Sequence, residues 1–213
     1  GDTNEFHAAI TAGIPSVNEG KIVLFGVVPK HAETGYGYIE VVEQEGCSLG
    51  AHQVQRFIEK PDLARATQMI SSRNYLWNSG IFLFKAKDLV EAFESFDRFT
   101  LEHVKHALAT ADEDLDFVRL GKNYWEKLIN ISIDYSVMEK SDNLVVVPLS
   151  SNWSDLGDWK SVWAESDKDK YGNATSKGAY AIDCKGSLFR TEAASQTILG
   201  FGVENILAVA MPD

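Results

Sequence analysis

Residues 56 to 62 read RFIEKPD: an apolar pair of strand character runs into an acid, a base and a proline, and a helical pattern begins directly behind them. Opposite charges side by side at such a point, here Glu59 and Lys60, can be a solvated ion pair that ends a strand. They can equally be an acceptor and a donor held together for a polar ligand. Three more clusters raise the same choice, TGYGY (34–38), WNSG (77–80) and WSDLGDW (153–159). Each of the first two has an ordinary reading as a turn with packed aromatics. In WSDLGDW a carboxylate lies between two Trp and a Gly, which is costly to order without a task. Ligands of open α/β sheets bind beyond the carboxyl ends of strands, so polar groups gathered at strand ends are candidates for a single site.

The elements that must position these clusters alternate between two periods. KIVLFGVV (21–28) and NLVVVPL (143–149) are continuous apolar runs that suit strands buried on both faces. GYGYIEVVEQEG and VQRFIEK read as strands, and GIFLFKA (80–86) as another that starts after WNSG. DLARATQMISS has helical spacing with Asp62 as its N-cap. Leu89, Phe93 and Phe96 fall on one helix face. Further helices are expected around Leu101, Val104 and Leu108, over IDYSVMEK, and over DWKSVWAE. This alternation, up to about residue 165, is the pattern of an α/β layered domain. SDKDKYGN (166–173) reads as a linker. Beyond it come only short β-like runs, either a hairpin stack or the start of a longer β structure, with no convincing fixed period.

Composition narrows the function classes. With 20 Lys and Arg against 31 Asp and Glu in 213 residues, the net charge is −11. Such a field repels nucleic acid and anionic membrane, so neither is expected as a partner, and an anionic ligand must be held by local donors. No run approaches the ~18 apolar residues of a membrane span. Cys47 and Cys184 lie far apart without metal-site spacing, which fits a reducing, cytoplasmic setting. Asn130, Asn152 and Asn173 head chance sequons. His103 and His106, at i and i+3, have no third ligand near in sequence and read as a polar helix face.

Taken in order and spacing, ETGYGYI, FIEKPD, WNSGIFLF, SIDYSVME and WSDLGDW resemble the mannose-1-phosphate guanylyltransferases, including the bacterial type that carries a second isomerase domain. Broader relatives, the sugar-nucleotide pyrophosphorylases, share EKP and the Trp-x-Asp-x-Gly element. The resemblance implies a Rossmann-like, GT-A type layered sheet over residues 1–165, the sugar-phosphate part of the nucleotidyltransferase domain, with a small all-β extension over 166–213. It implies formation of GDP-mannose and pyrophosphate from GTP and mannose 1-phosphate, with Mg²⁺ as cofactor. A glucose-1-phosphate thymidylyl- or uridylyltransferase, or a non-catalytic sugar-nucleotide binder, are the alternatives.

The resemblance also assigns roles. Lys60 would neutralise the sugar phosphate and hold it in line with the triphosphate. Glu59 would accept hydrogen bonds from sugar hydroxyls, Asn78 would bind them through its amide, and Gly37 would let the backbone approach the sugar ring. Asp155 matches a metal-binding aspartate. Asp134 is either part of the site or a cap on its helix. The family's Gly-rich loop with Arg and Lys, and its first metal aspartate, have no counterpart here. The expectation is therefore a truncated piece, inactive alone, whose sheet presents an uncovered edge; homo-oligomer formation is left open.

Overall fold

The computed structural model describes residues 2–42, 50–150, 153–193 and 195–212. Cys47 and Asn152 lie outside them. The chain divides into two compact units, Gly1–Trp153 and Ser154–Asp213. Helix DWKSVWAE, expected to close the first domain, thus falls in the second unit.

The first unit runs α1 (Thr3–Asn18), β1 (Ile22–Val27), β2 (Gly37–Val41), β3 (His52–Glu59), α2 (Leu63–Ser72), β4 (Tyr75–Leu83), α3 (Ala86–Phe96) and α4 (Arg98–Ala109). It continues through β5 (Asp112–Asp114), β6 (Phe117–Arg119), α5 (Lys122–Trp125), a π-helical turn (Asp134–Met138) and β7 (Leu144–Pro148). The two continuous apolar runs are β1 and β7. They pair in parallel from Ile22 with Leu144 to Gly26 with Pro148, and β1 is buried along its whole length. The remaining pairings of the sheet are antiparallel, in the order β1-β4-β2-β3-β7.

Among the described residues the sheet does not present the expected uncovered edge. The start of β3 pairs with β7, His52 with Val146 and Gln53 with Val145, so each of the five strands has two neighbours and the sheet closes on itself. Both of its surfaces are covered. Ala9 of α1 and Ala66 and Met69 of α2 pack with Phe25, Tyr38, Ile58 and Trp77 on one side. On the other, Val137 and Met138 of the π-turn pack with Leu24, Ile39, Phe57 and Leu76, and the expected α3 stripe of Leu89, Phe93 and Phe96 packs against them.

Two departures from the sequence pattern have local causes. The sequence reading passes over α1, which holds Pro15 in its interior and a buried Gly13; its face of Phe6, Ala9, Ile10 and Val17, at helical spacing, packs on the sheet. WNSG does not precede a strand but lies within β4. Gly80 takes a φ of +71°, and the pairing with β1 slips between Leu24 opposite Phe82 and Gly26 opposite Asn78, so the motif is a bulge.

The second unit holds α6 (Trp159–Glu165) and five short strands, β8 (Ala174–Thr175), β9 (Ala179–Ile182), β10 (Leu188–Thr191), β11 (Ile198–Phe201) and β12 (Leu207–Ala210). They stack in parallel, β8-β10-β12 and β9-β11, which excludes a hairpin stack. The last two coils are offset by 19 positions, Leu188 opposite Leu207, Ala179 opposite Ile198 and Lys185 opposite Glu204, whereas Leu188 lies opposite Ala174 at 14, so the spacing is not fixed over the whole stack. The corners repeat at the same interval, with Asp183 and Gly202 at φ 52° and 66°, and Gly186 and Asn205 at 57° and 56°. A Cβ on Gly186 would meet Asn205 Oδ1 at 2.8 Å, so successive coils touch at this corner. The expected linker is an ordered turn inside this unit. Asp169 accepts from the N–H groups of Tyr171 and Asn173 at 2.9 and 2.8 Å, and the Asn173 amide reaches on to Cys184 O at 2.8 Å.

Candidate functional site

The end of β3 is where the first unit concentrates its irregular backbone. Glu59 is the last residue of the strand. Lys60 follows at φ +46°, a left-handed conformation that costs a non-glycine residue about 1–2 kcal/mol. Its N–H donates to Tyr36 O at 3.1 Å. Loop 31–36 is in turn held by Tyr38, whose hydroxyl receives the Glu33 N–H at 3.0 Å and donates to Glu33 O at 2.9 Å. Tyr36 stands edge-on to Trp77 and Trp153, with ring centroids 5.2 and 5.6 Å away. The kink turns the Lys60 side chain outward, 55% exposed, while Glu59 stays 7% exposed, yet Nζ and Oε1 are 3.3 Å apart. A buried carboxylate and a solvent-facing ammonium therefore share one corner.

Around that corner the fold brings Gly37, Glu59, Lys60, Asn78 and Asp134 together. Gly37 pairs directly with Glu59 across β2 and β3. A Cβ on Gly37 would lie 2.6 Å from Glu59 Oε2, 3.0 Å from Phe57 Cζ and 3.2 Å from Asn78 Cβ. The missing side chain thus makes room first for the protein's own carboxylate. Asn78 donates through Nδ2 to Asp134 Oδ1 at 3.2 Å and accepts from the Gly80 N–H at 3.1 Å. Part of the amide is committed to holding Asp134 and the bulge. The π-turn has no side-chain cap at its start, so Asp134 faces Asn78 and Ser132 rather than capping the helix.

Glu139, which the sequence reading passes over, completes the floor. Its Oε1 accepts the Glu59 N–H at 2.8 Å. The i to i+5 bond of the π-turn, from Glu139 N to Asp134 O at 2.9 Å, sets these two carboxylates one turn apart. Single π-turns recur at functional sites, but no residue pattern in SIDYSVME distinguishes one from an α-turn. Glu59 is pushed above the usual carboxylate range by burial first and then by the negative charges of Asp134 and Glu139, with Lys60 opposing. Asp134 is also raised, chiefly by burial, against its own N–H, Ser132, Lys60 and Asn78. The corner offers clustered acceptors for hydroxyl groups and one mobile cation at their rim.

Asp155 belongs to the second unit and is exposed. WSDLGDW is divided by the fold: Trp153 packs in the first unit, whereas Asp158 caps α6, accepting the Ser161 N–H at 2.7 Å, and Trp159 lies 5.8 Å below the Arg190 guanidinium. Among the described residues no three His, Cys, Asp or Glu side chains gather as metal ligands. His103 stacks on Phe99 at 4.0 Å and His106 on Tyr124 at 4.9 Å, as members of a helix surface. No described helix is long and apolar enough to cross a membrane.

Comparison with known proteins agrees with this architecture. Xanthan biosynthesis protein XanB of Xanthomonas campestris pv. campestris (strain B100) is 39% identical over 212 residues, covering 100% of this chain and 44% of that protein. A mannose-1-phosphate guanylyltransferase of Klebsiella pneumoniae is 38% identical over 213 residues, 98% of this chain and 44% of its own length. The chain thus spans less than half the length of the curated relatives it matches. The crystal structure of a mannose-1-phosphate geranyltransferase from Thermus thermophilus superposes with a TM-score of 0.79 at 28% identity, over 100% of this chain and 60% of that one. A family model described as nucleotidyl transferase matches residues 3–171, and with a mixed α/β fold to match, the chain belongs to the nucleotidyl transferase family.

Proposed function

We propose that this chain carries the sugar-phosphate site of a mannose-1-phosphate guanylyltransferase, which joins GTP and mannose 1-phosphate into GDP-mannose and pyrophosphate. The observation that carries the reading is the Glu59–Lys60 corner, one carboxylate buried and one ammonium exposed 3.3 Å apart on a left-handed residue. Glu59, with Asp134 behind it, accepts hydrogen bonds from sugar hydroxyls, and their placement reads stereochemistry, because an unmatched buried acceptor is costly. Lys60 reaches the anomeric phosphate as a point charge on a flexible stem and lowers the repulsion between it and an approaching triphosphate. Asn78 holds Asp134 in place and keeps one N–H for the ligand. The relatives named for mannose-1-phosphate guanylyl transfer and for xanthan biosynthesis support the substrate class.

Mg²⁺ is the cofactor that the family points to. Asp155 has the hard oxygen chemistry such an ion takes, but one exposed carboxylate does not make a site. A cytoplasmic setting and small-molecule rather than nucleic-acid partners accord with the charge of −11.

The test is binding of mannose 1-phosphate to the chain by calorimetry. Glu59→Gln is expected to weaken it by about 1.5–3 kcal/mol, and Lys60→Met to weaken mannose 1-phosphate without a matching change for uncharged mannose. Unaltered binding in both variants would remove the corner from the site.

A further inference from the structure

Opposite the Glu59 corner, on the other surface of the same strands, a second polar group lines up. Side chains alternate across a sheet, so Arg56 and Glu59, three apart on β3, face opposite ways. Arg56 lies directly across from Glu40 of β2, and Glu40 directly across from Tyr75 of β4, giving one row over three strands. Helix α2 flanks the row with Arg65, Gln68 and Ser72, and together they line a cavity of about 260 Å³.

The row is wired to present cations. Glu40 is only 15% exposed. Its Oε1 accepts from Asn74 Nδ2 at 3.3 Å, and Asn74 is steadied by the Ser72 hydroxyl at 2.7 Å. The Tyr75 hydroxyl lies within the field of Glu40, Arg56 and Arg65. Arg56 approaches Glu40 Oε2 through Nε, at 3.7 Å. That contact orients the guanidinium and leaves its two terminal nitrogens for another partner. Arg65 adds a second fork from the helix. Among the described residues, neither terminal nitrogen of Arg56 nor the Arg65 guanidinium has a protein partner.

We infer that this cavity is a second anion site, distinct from the Lys60 corner, that binds a phosphate-type group between Arg56 and Arg65. Planar guanidinium forks match the oxygens of a phosphate in pairs, as an ammonium does not. In a chain of net charge −11 the surrounding field opposes anions, so an affinity here has to come from these local donors. The volume leaves space for a group attached to the phosphate, with the Gln68 and Asn74 amides beside it.

The experiment titrates the isotope-labelled 213-residue chain with inorganic phosphate and, separately, with pyrophosphate, following the amide signals of Asn74 and Tyr75. Saturable shifts are expected with at least one probe, and the arm that saturates at lower concentration says whether one phosphate or two is recognised. The double variant Arg56→Gln/Arg65→Gln is expected to weaken this response about tenfold or more, while Lys60→Met leaves it intact. Signals that stay still with both probes overturn the inference. So does a response that disappears in Lys60→Met and survives in the double arginine variant, which would place the anion at the Glu59 corner instead.

Discussion

The two units use left-handed backbone to opposite ends. In the second unit four of the positive φ values come in pairs 19 residues apart, Asp183 with Gly202 and Gly186 with Asn205. They turn the corners of stacked coils, and three of these four positions carry Gly or Asn, which tolerate the conformation. In the first unit the positive φ values, among them Gly20, Lys60, Arg73 and Gly80, keep no common interval, and the one at Lys60 falls on a long charged side chain at a strand end, near the bulge at Gly80 and the π-turn at Asp134. Where the irregularity recurs it is architecture. Where it falls on a charged residue beside the Glu59 and Asp134 carboxylates, it marks the place where the fold gives up stability to aim particular groups.

The largest expected effect separates the units outright. Phe189 is 2% exposed and is the aromatic side chain at the centre of the small core around Ala179 and Cys184. Phe189→Ala is expected to cost the second unit about 3–5 kcal/mol, with the first unit keeping its protection. Hydrogen exchange read segment by segment checks this; equal loss of protection in β1 and β7 would mean that the units fold as one.

A smaller effect sharpens the meaning of strain. Lys60→Gly is expected to stabilise the first unit by about 1 kcal/mol, since glycine adopts positive φ freely, while mannose 1-phosphate binding is lost with the ammonium. Asn205→Gly, at a corner of the coil, is expected to change stability by a few tenths of a kcal/mol at most, because Asn already tolerates the left-handed region. Denaturant midpoints and calorimetric binding measured on both variants test the contrast. A Lys60→Gly chain that is less stable than the parent would show that Lys60 is not strained.

The smallest effect is one of sign with pH. Glu59 and Asp134 have raised pKa values, so the folded first unit binds protons more readily than its unfolded chain. Stability is then fully present below the ordinary 4.5 and 3.8 of these groups and falls as pH rises through their raised values. In the second unit Asp158 and Asp169 are lowered, first by the backbone N–H groups of Ser161 and Asn173 respectively. Their contribution is present above the ordinary 3.8 and fades as pH falls through the lowered values. The units should therefore show opposite slopes in acid, and Glu59→Gln should flatten that of the first. Unfolding followed at Trp77 and at Trp163 from about pH 3 to about pH 7 separates them; parallel slopes would contradict the assignment.

Much of the frame was legible in the residues. Continuous apolar runs announced β1 and β7, a strand followed by Pro61 placed the end of β3, and Asp62 caps α2 as expected, accepting the Arg65 N–H at 2.8 Å. Five ordered motifs identified the family, and four of them converge on one corner, because strands distant along the chain pair side by side there. What local pattern could not carry was decided by packing. Helix α1 carries Phe6, Ala9, Ile10 and Val17 at helical spacing, but Pro15 and Gly13 in its interior argue locally against a helix, and packing on the sheet decides it. Closure of the sheet rests on His52 meeting Val146, a pairing at long separation that no propensity encodes. The 19-residue stacking is not legible along the chain because it is written in backbone conformation and scarcely in side chains: Ala179 stacks on Ile198, and Gly186 on Asn205.

The sequence by itself determined which groups are available to the site, since an acid, a base, an amide and a glycine are chemical facts of the chain. Only the tertiary structure decided their states. The same two neighbours in sequence, Glu59 and Lys60, become one buried and one exposed because a single left-handed residue turns the chain at the strand's end. Glu139 joins them only because a π-turn brings it under the Glu59 N–H. Burial and charge proximity fall off over a few ångströms in space, and positions along the chain do not record that distance.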